Sequence, residues 1–299
     1  MATTTVSGGT TNAGSAVSSD PNVSNLTKTL LNNVNGSGGV FTTNSVGTPS
    51  SPALVQGADN SVFVVEGTSN VVQVGSQRST YVIADQKATI AGGTGSGTIV
   101  GGAGGALLGT STVPGGSYQL LGSTGNDTII AAAGNNTIQG GAGTNVEGVF
   151  GGSNIVGVGQ VSGANDTAVI TGGNNTIFGG QVSSLIGVTG GTNTVVGGAA
   201  AETIVGGGGN NVFAGGGGQD LFLFTNLGVG GNYTVTDFGV GGTADTVAFV
   251  GLGATSVDKL LANATESGGS VKITFASSNV TVTFQNTTIA SLRGNILLS

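Results

Sequence analysis

From about residue 59 onward, large apolar residues recur once in every nine positions, each following a stretch of glycine and small polar residues. Starting at Gly125 the chain reads GNDTIIAAA, GNNTIQGGA, GTNVEGVFG and GSNIVGVGQ. After three inserted residues it resumes at Ala164 as ANDTAVITG, GNNTIFGGQ, VSSLIGVTG, GTNTVVGGA, AAETIVGGG, GNNVFAGGG and GQDLFLFTN. Extended backwards, the register gives starts at 116, 104, 95, 86, 77, 68 and 59, with a second three-residue insertion between 113 and 115. A fixed period of this kind decides the fold before any single helix or strand is assigned.

The fifth place of each unit holds Phe63, Val72, Tyr81, Ile90, Ile99, Leu108, Leu120, Ile129, Ile138, Glu147, Val156, Ala168, Ile177, Ile186, Val195, Ile204, Phe213 and Phe222; all but Glu147 and Ala168 are large and apolar. Each unit therefore reads as a Gly-rich turn followed by a short strand whose fifth residue points inward. Two units make one coil with a strand on each of two faces, and the expected fold is all-β, a parallel β-solenoid or β-roll of nonapeptide half-turns. The eighteen units predict nine coils, a rod roughly 43 Å long at the inter-strand spacing. The expected organisation is a low-complexity Thr/Ser/Asn/Gly segment over 1–57, the solenoid over 58–226 and a small β-rich C-terminal cap over 227–299. Val40 to Thr43 and Asn25 to Val34 in the first segment are candidates for a cap or donated element, while Val257 to Ala264 predicts a short helix and VKITF, VTVTF and NILLS predict cap strands. Solenoid ends expose strand edges that need such covering.

Composition explains how so apolar a chain manages with few bulky side chains. Gly is 61 of 299 residues, hydrophobic residues are 37% and charged residues only 6%, so the chain is neither a charged disordered coil nor an ordinary globule. With no Cys and no His it has neither disulfides nor thiolate or imidazole metal ligands, and it lacks the commonest general base. Asp237, Asp245 and Glu266 are scattered and read as solvated or turn acids, so no catalytic residue is expected and the chain is not expected to be an enzyme. A net charge of −7 with six Lys and Arg leaves no footprint for nucleic acid. No apolar run is long enough for a transmembrane segment, and Met1 to Thr10 lacks the regions of an ordinary signal peptide.

The repeats resemble those of the RTX (hemolysin-type) nonapeptide family, with Gly215 to Leu223 (GGGGQDLFL) and Gly122 to Ile130 (GSTGNDTII) nearest the pattern Gly-Gly-x-Gly-x-Asp-x-apolar-x. The resemblance runs over roughly 86 to 250, and Tyr233 to Leu252 looks like the segment that closes such arrays. It implies calcium between successive turns, held by the aspartates, and a secreted protein; the stretch after Leu252 is similar to C-terminal regions of type I secreted proteins. The aspartate place here reads Asp127, Asn136, Asn145, Asn154, Asp166, Asn175, Ser184, Asn193, Glu202, Asn211 and Asp220. Separated by face, one side carries Asp127, Asn145, Asp166, Ser184, Glu202 and Asp220, and the other carries Asn136, Asn154, Asn175, Asn193 and Asn211 without a break. Calcium affinity depends on charged oxygen ligands. The Asn face is thus expected to be a structural amide ladder without metal, and calcium binding to be degenerate, with no cofactor required and calcium at most at a residual site among Glu202, Asp220, Asp127 and Asp166, the first two best placed.

Thr80, Thr89, Thr98, Thr128, Thr137, Thr167, Thr176, Thr194 and Thr203 precede the inward residue. They fit strand propensity on a solvent face, with a flat binding face as the other reading. Asn-x-Ser/Thr triplets arise from the GNNT repeat itself, and GGGGNN is followed by no Lys or helix and so is no phosphate loop. The function expected is that of an extracellular structural protein, a self-assembling filament, biofilm matrix or surface-layer component. Its partner would be itself, end to end as a homopolymer, with cell-surface polysaccharide as a further candidate. The alternative is a secreted adhesin or ice-binding module using flat Thr/Asn faces.

Overall fold

The computed structural model describes residues 53–55, 62–65, 70–76, 78, 80–84, 86–112, 116–161, 165–227, 230–240 and 244–299. The expectations for Asn25 to Val34, for Val40 to Thr43 and for both insertions fall outside the described residues. The chain divides into two compact units, Met1–Gly148 and Val149–Ser299.

In the first unit the strands are β1 (Ala53–Val55), β2 (Val62–Val65), β3 (Asn70–Val74), β4 (Thr80–Ala84), β5 (Ala88–Ala91), β6 (Ser96–Val100), β7 (Leu107–Gly109), β8 (Ser117–Leu121), β9 (Thr128–Ala131), β10 (Thr137–Gln139) and β11 (Val146–Val149), the division falling within the last. Odd-numbered strands stack in one parallel sheet and even-numbered ones in another, the arrangement of a parallel β-solenoid. Its registers bring the inward residues level: Val72 with Ile90, Ile90 with Leu108, Leu108 with Ile129, and Ile99 with Leu120. Ile99, Leu108, Leu120, Ile129 and Ile138 are fully buried. A β-branched or Leu side chain at this place packs on its copy one coil away, which is why a single large residue per nine suffices.

One inward assignment is off by a residue. Phe63 pairs with Val82 and Val82 with Ile99, so Val82 is the core residue and Tyr81 lies on the other side of the strand, half-buried. Val72 and Val82 are ten positions apart instead of nine, and Val82 and Ile90 eight, so the count returns to register at β5. Because side chains alternate along a strand, that single slip exchanges the two faces. It also buries Thr80, and Thr98 is buried too, its hydroxyl donating to Gln119 Oε1 at 3.2 Å, so these two are not solvent-face threonines. Glu147 does occupy its inward place in β11 with no exposure, and a Cβ built on Gly140 would stand 2.4 Å from its Oε1. Glycine at 140 makes the room for that carboxyl.

The second unit contains β12 (Ile155–Gly157), β13 (Thr167–Thr171), β14 (Thr176–Phe178), β15 (Leu185–Thr189), β16 (Thr194–Val196), β17 (Thr203–Gly206), β18 (Gly209–Ala214), β19 (Leu221–Thr225), β20 (Gly231–Val235), β21 (Thr246–Val250), α1 (Val257–Ala262), β22 (Thr265–Ser267), β23 (Ser270–Phe275), β24 (Val280–Gln285), α2 (Ile289–Arg293) and β25 (Ile296–Leu298). Ala168, Ile186, Ile204, Phe222, Val247 and Ile296 stack in register on one sheet, and Val156, Ile177, Val195, Phe213 and Val235 on the other. Parallel pairing continues through β20 to β24 and through β21 to β25, and β24–β23–β22 then turns antiparallel. The core changes there from aliphatic to aromatic, with ring centroids 4.8 Å apart for Phe224 and Tyr233 and 4.9 Å for Phe249 and Phe275. The predicted C-terminal helix and strands are present, with Ser256 capping α1 by accepting from Lys259 N.

Candidate functional site

The side chains at the place before the outward Thr are polar yet buried, and they form two columns in the turns. On the Asn side of the second unit the geometry repeats from coil to coil. Asn175 Oδ1 accepts from Asn154 N at 2.9 Å and Asn154 Nδ2 at 2.8 Å; Asn193 Oδ1 accepts from Asn175 N and Nδ2, and Asn211 Oδ1 from Asn193 N and Nδ2. The second Nδ2 proton goes to the carbonyl three residues back, at Gly151, Gly172, Gly190 and Gly208. For Asn175 and Asn193 both amide protons and both oxygen lone pairs are thereby used. Asn211 is level with Tyr233, whose phenol is pushed up to about 12 by burial, against a backbone hydrogen bond at Gly208. In the first unit Asn136 Oδ1 accepts from Tyr118 N, and its Nδ2 donates to Ala133 O.

The other column keeps half of this pattern. Asp127 N donates to Asn145 Oδ1, Glu202 N to Asp220 Oδ1 at 2.8 Å, and Asp220 N to Asp245 Oδ1 at 3.1 Å. What a carboxylate cannot do is supply the amide protons. Instead each takes turn N–H groups: Asp127 Oδ1 from Ala106 and Oδ2 from Ser123, Asp166 Oδ2 from Gly159, Glu202 Oε2 from Gly198, and Asp245 Oδ2 from Gly239. Glu202 Oε1 and Asp220 Oδ2 remain buried without a hydrogen-bond partner.

Electrostatics follow from that. Burial pushes the Glu202 carboxyl up to about 7, and the neighbouring Asp220 charge adds to the rise, against a backbone bond from Gly198. Asp220 is pushed up to about 6, again chiefly by burial and also by Asp245 and Asp237, while the Glu202 N–H opposes. Asp245 is raised by burial as well. Lys and Arg are absent from Ala88 to Asp258, so no side-chain cation of this stretch offsets these acids.

The sequence placed Glu202 and Asp220 together, and the structure joins them through a direct hydrogen bond. It missed Asp245 and Asp237. Asp245 is 3% exposed and extends the same column, and Asp237 accepts from Gly215 N and Gly216 N with its two oxygens, so neither is a solvated acid. The signal for Asp245 was legible as Asp-Thr-Val, the same Asp-Thr-apolar run as Asp127 to Ile129, hidden by the loss of period before it. Glu266 is exposed and accepts from Ile289 N at the start of α2.

A calcium ion asks for six to eight oxygens, several of them charged. The Asn column has none to give, because the Oδ1 atoms of Asn175, Asn193 and Asn211 already accept twice. The Glu202–Asp220 pair fits in kind, with two orphaned buried carboxylate oxygens from successive coils. Among the described residues no three His, Cys, Asp or Glu side chains converge on one point, so backbone carbonyls or water would complete the shell.

The sequence profile of the RTX calcium-binding nonapeptide repeat matches in four copies, over residues 119–146 and 188–222. Among solved structures, the extracellular lipase LipA from Serratia marcescens is similar at 17% identity and a TM-score of 0.31, over 71% of this chain and 40% of the lipase, so the chain spans less than half of that protein's length. A comparison with curated proteins gives no match.

Proposed function

Since this chain belongs to the RTX nonapeptide-repeat family, we propose that it is an extracellular, non-enzymatic structural subunit that assembles with itself into a filament, matrix or surface layer. The observation that carries this reading is electrostatic. From Val149 to Thr236 the only charged residues are Asp166, Glu202 and Asp220, each at most 2% exposed, so this whole stretch of solenoid presents no charge to solvent. Charge repulsion is what ordinarily keeps soluble proteins apart, and along this stretch it is missing. The absence of His and Cys from the chain supports a role without thiol or imidazole chemistry. Among the described residues no helix is long and apolar enough to cross a membrane, and export by the C-terminal route belongs to the same proposal.

Calcium has a bounded place in this reading. Glu202 and Asp220 would hold it, and it would neutralise two facing buried charges and clamp their coils together. Asp127, with both oxygens taken by N–H groups, and Asp166 are the poorer candidates. The Asn columns do the same work without metal.

Electron microscopy and sedimentation of the purified chain, in calcium and in chelator, test the proposal. Ordered assemblies in both conditions are expected. Dispersed monomers in both would remove the structural reading and favour the second one, a binding module using the threonines Thr176, Thr194 and Thr234, which stand in register on one flat face.

A further inference from the structure

Outward side chains of the sheet formed by β12, β14, β16, β18 and β20 lie in parallel rows, of which Asn210 and Asn232 make a short polar one. One row contains Ile155, Thr176, Thr194 and Val212, and another Phe178 and Val196. Ile155 is 51% exposed, Phe178 43%, Val212 39% and Val196 36%, and Phe178 and Val196 stand level on neighbouring strands. Soluble chains ordinarily guard such a face with Lys or Glu. Here the sequence supplies none.

Two features select the occupant. The face is uncharged, so it attracts no polyanion or basic peptide, and covering it desolvates no ion. It is also ridged at the inter-strand spacing of about 4.8 Å, with branched side chains standing over each strand. A surface with that period meshes best with one of equal period, as in dry sheet-to-sheet contacts, and a second copy of this chain has that period. Five strands with two outward residues each offer on the order of 250 Å², well short of the roughly 800 Å² per partner of a stable pair. Such a contact holds as one of many in an assembly and not as an isolated dimer.

We propose that this face is a lateral contact at which one copy packs against the same face of another, within the self-assembly proposed above, on which the inference rests. Thr194 is at its centre. The test uses the full chain as wild type, Thr194→Lys, Thr194→Glu and, on the opposite sheet, Thr203→Lys, each checked for an unchanged circular dichroism spectrum and melting. Sedimentation velocity over a concentration series is the readout. The wild type and Thr203→Lys are expected to associate alike, while each Thr194 variant needs at least tenfold more protein. An equimolar mixture of Thr194→Lys and Thr194→Glu is expected to recover association, because only a face that meets itself brings the opposite charges together. If the wild type assembles and the Thr194 variants assemble equally well, the face is not the contact. Equal loss without recovery in the mixture overturns the face-to-itself geometry. Retention on insoluble cellulose that is lost in the Thr194 variants, with self-association unchanged, would give the face to a neutral polymer instead. A wild type that stays monomeric at every concentration sinks the assembly reading itself, and this contact with it.

Discussion

The difference between the two turn columns comes down to one atom per residue. An Asn offers the coil before it an oxygen and the coil after it an N–H, whereas Glu202 and Asp220 offer oxygen on both sides. Replacing Asp220 by Asn gives Glu202 a donor in place of a like charge, so in chelator at pH 8 Asp220→Asn is expected to stabilise the protein by about 1–3 kcal/mol, measured by urea unfolding. The same pair sets a pH dependence. Both carboxyls titrate above their ordinary range when folded, so the folded state holds protons that the unfolded chain releases. Their contribution is full below the ordinary carboxylate range and is lost as pH rises through about 6 and about 7. Melting in chelator should therefore drop across that window, and calcium should lessen the drop; a flat profile in chelator would contradict the burial of this pair. Asn193→Ala cuts the ladder mid-column and strands the Asn175 N–H, an Asn175 Nδ2 proton and the Gly190 carbonyl, while Asn211 Oδ1 keeps only the Asn193 N–H. Its expected cost is about 2–4 kcal/mol in the same urea assay, with no dependence on calcium.

At the scale of strand and turn, tight corners make the repeat, and two glycines separate the reasons for them. Gly209 has φ +86° and a Cβ there would stand 2.5 Å from the Gly190 carbonyl carbon; Gly172 has φ +72° with nothing within 4 Å. Gly209→Ala must pay both strain and backbone collision and is expected to cost more than about 3 kcal/mol, whereas Gly172→Ala carries strain alone, about 1 kcal/mol; paired thermal melts would distinguish them. The period of nine made the strands and their inward residues readable, and failed where turn length varied. Val82 replaced Tyr81 because one extra residue before β4 is invisible to a fixed count yet reverses the faces of that strand, and the count recovers at Ile90, only eight positions further on. The continuation through β20, β21, β24 and β25 had no readable period, since intervening loops and helices break the spacing while the pairing itself persists.

For the molecule as a whole, the fold class was legible because each coil buries its apolar residue only against its neighbours, so the local period is the global architecture. The Asn ladder was legible for the same reason. The electrostatics of the other column were not, because they depend on which carboxylate oxygens the turns leave without an N–H, and no spacing in the sequence records that. Assembly sits at this scale too: with no charge exposed between Val149 and Thr236, association should be almost insensitive to salt, which light scattering from low to high ionic strength would check.

The absence of Lys and Arg from Ala88 to Asp258 has a consequence for the protein's durability. A protease that cuts after Lys or Arg finds nothing to recognise from Ala88 to Asp258, whether the chain is folded or not. Digestion with trypsin under denaturing conditions should release a fragment running from Ala88 to Lys259, recognisable by its intact mass, and reagents that attach to amines should leave Ala88 to Asp258 of the intact chain unlabelled. In a material built from such chains that stretch would survive one whole class of digestive enzymes by what it omits.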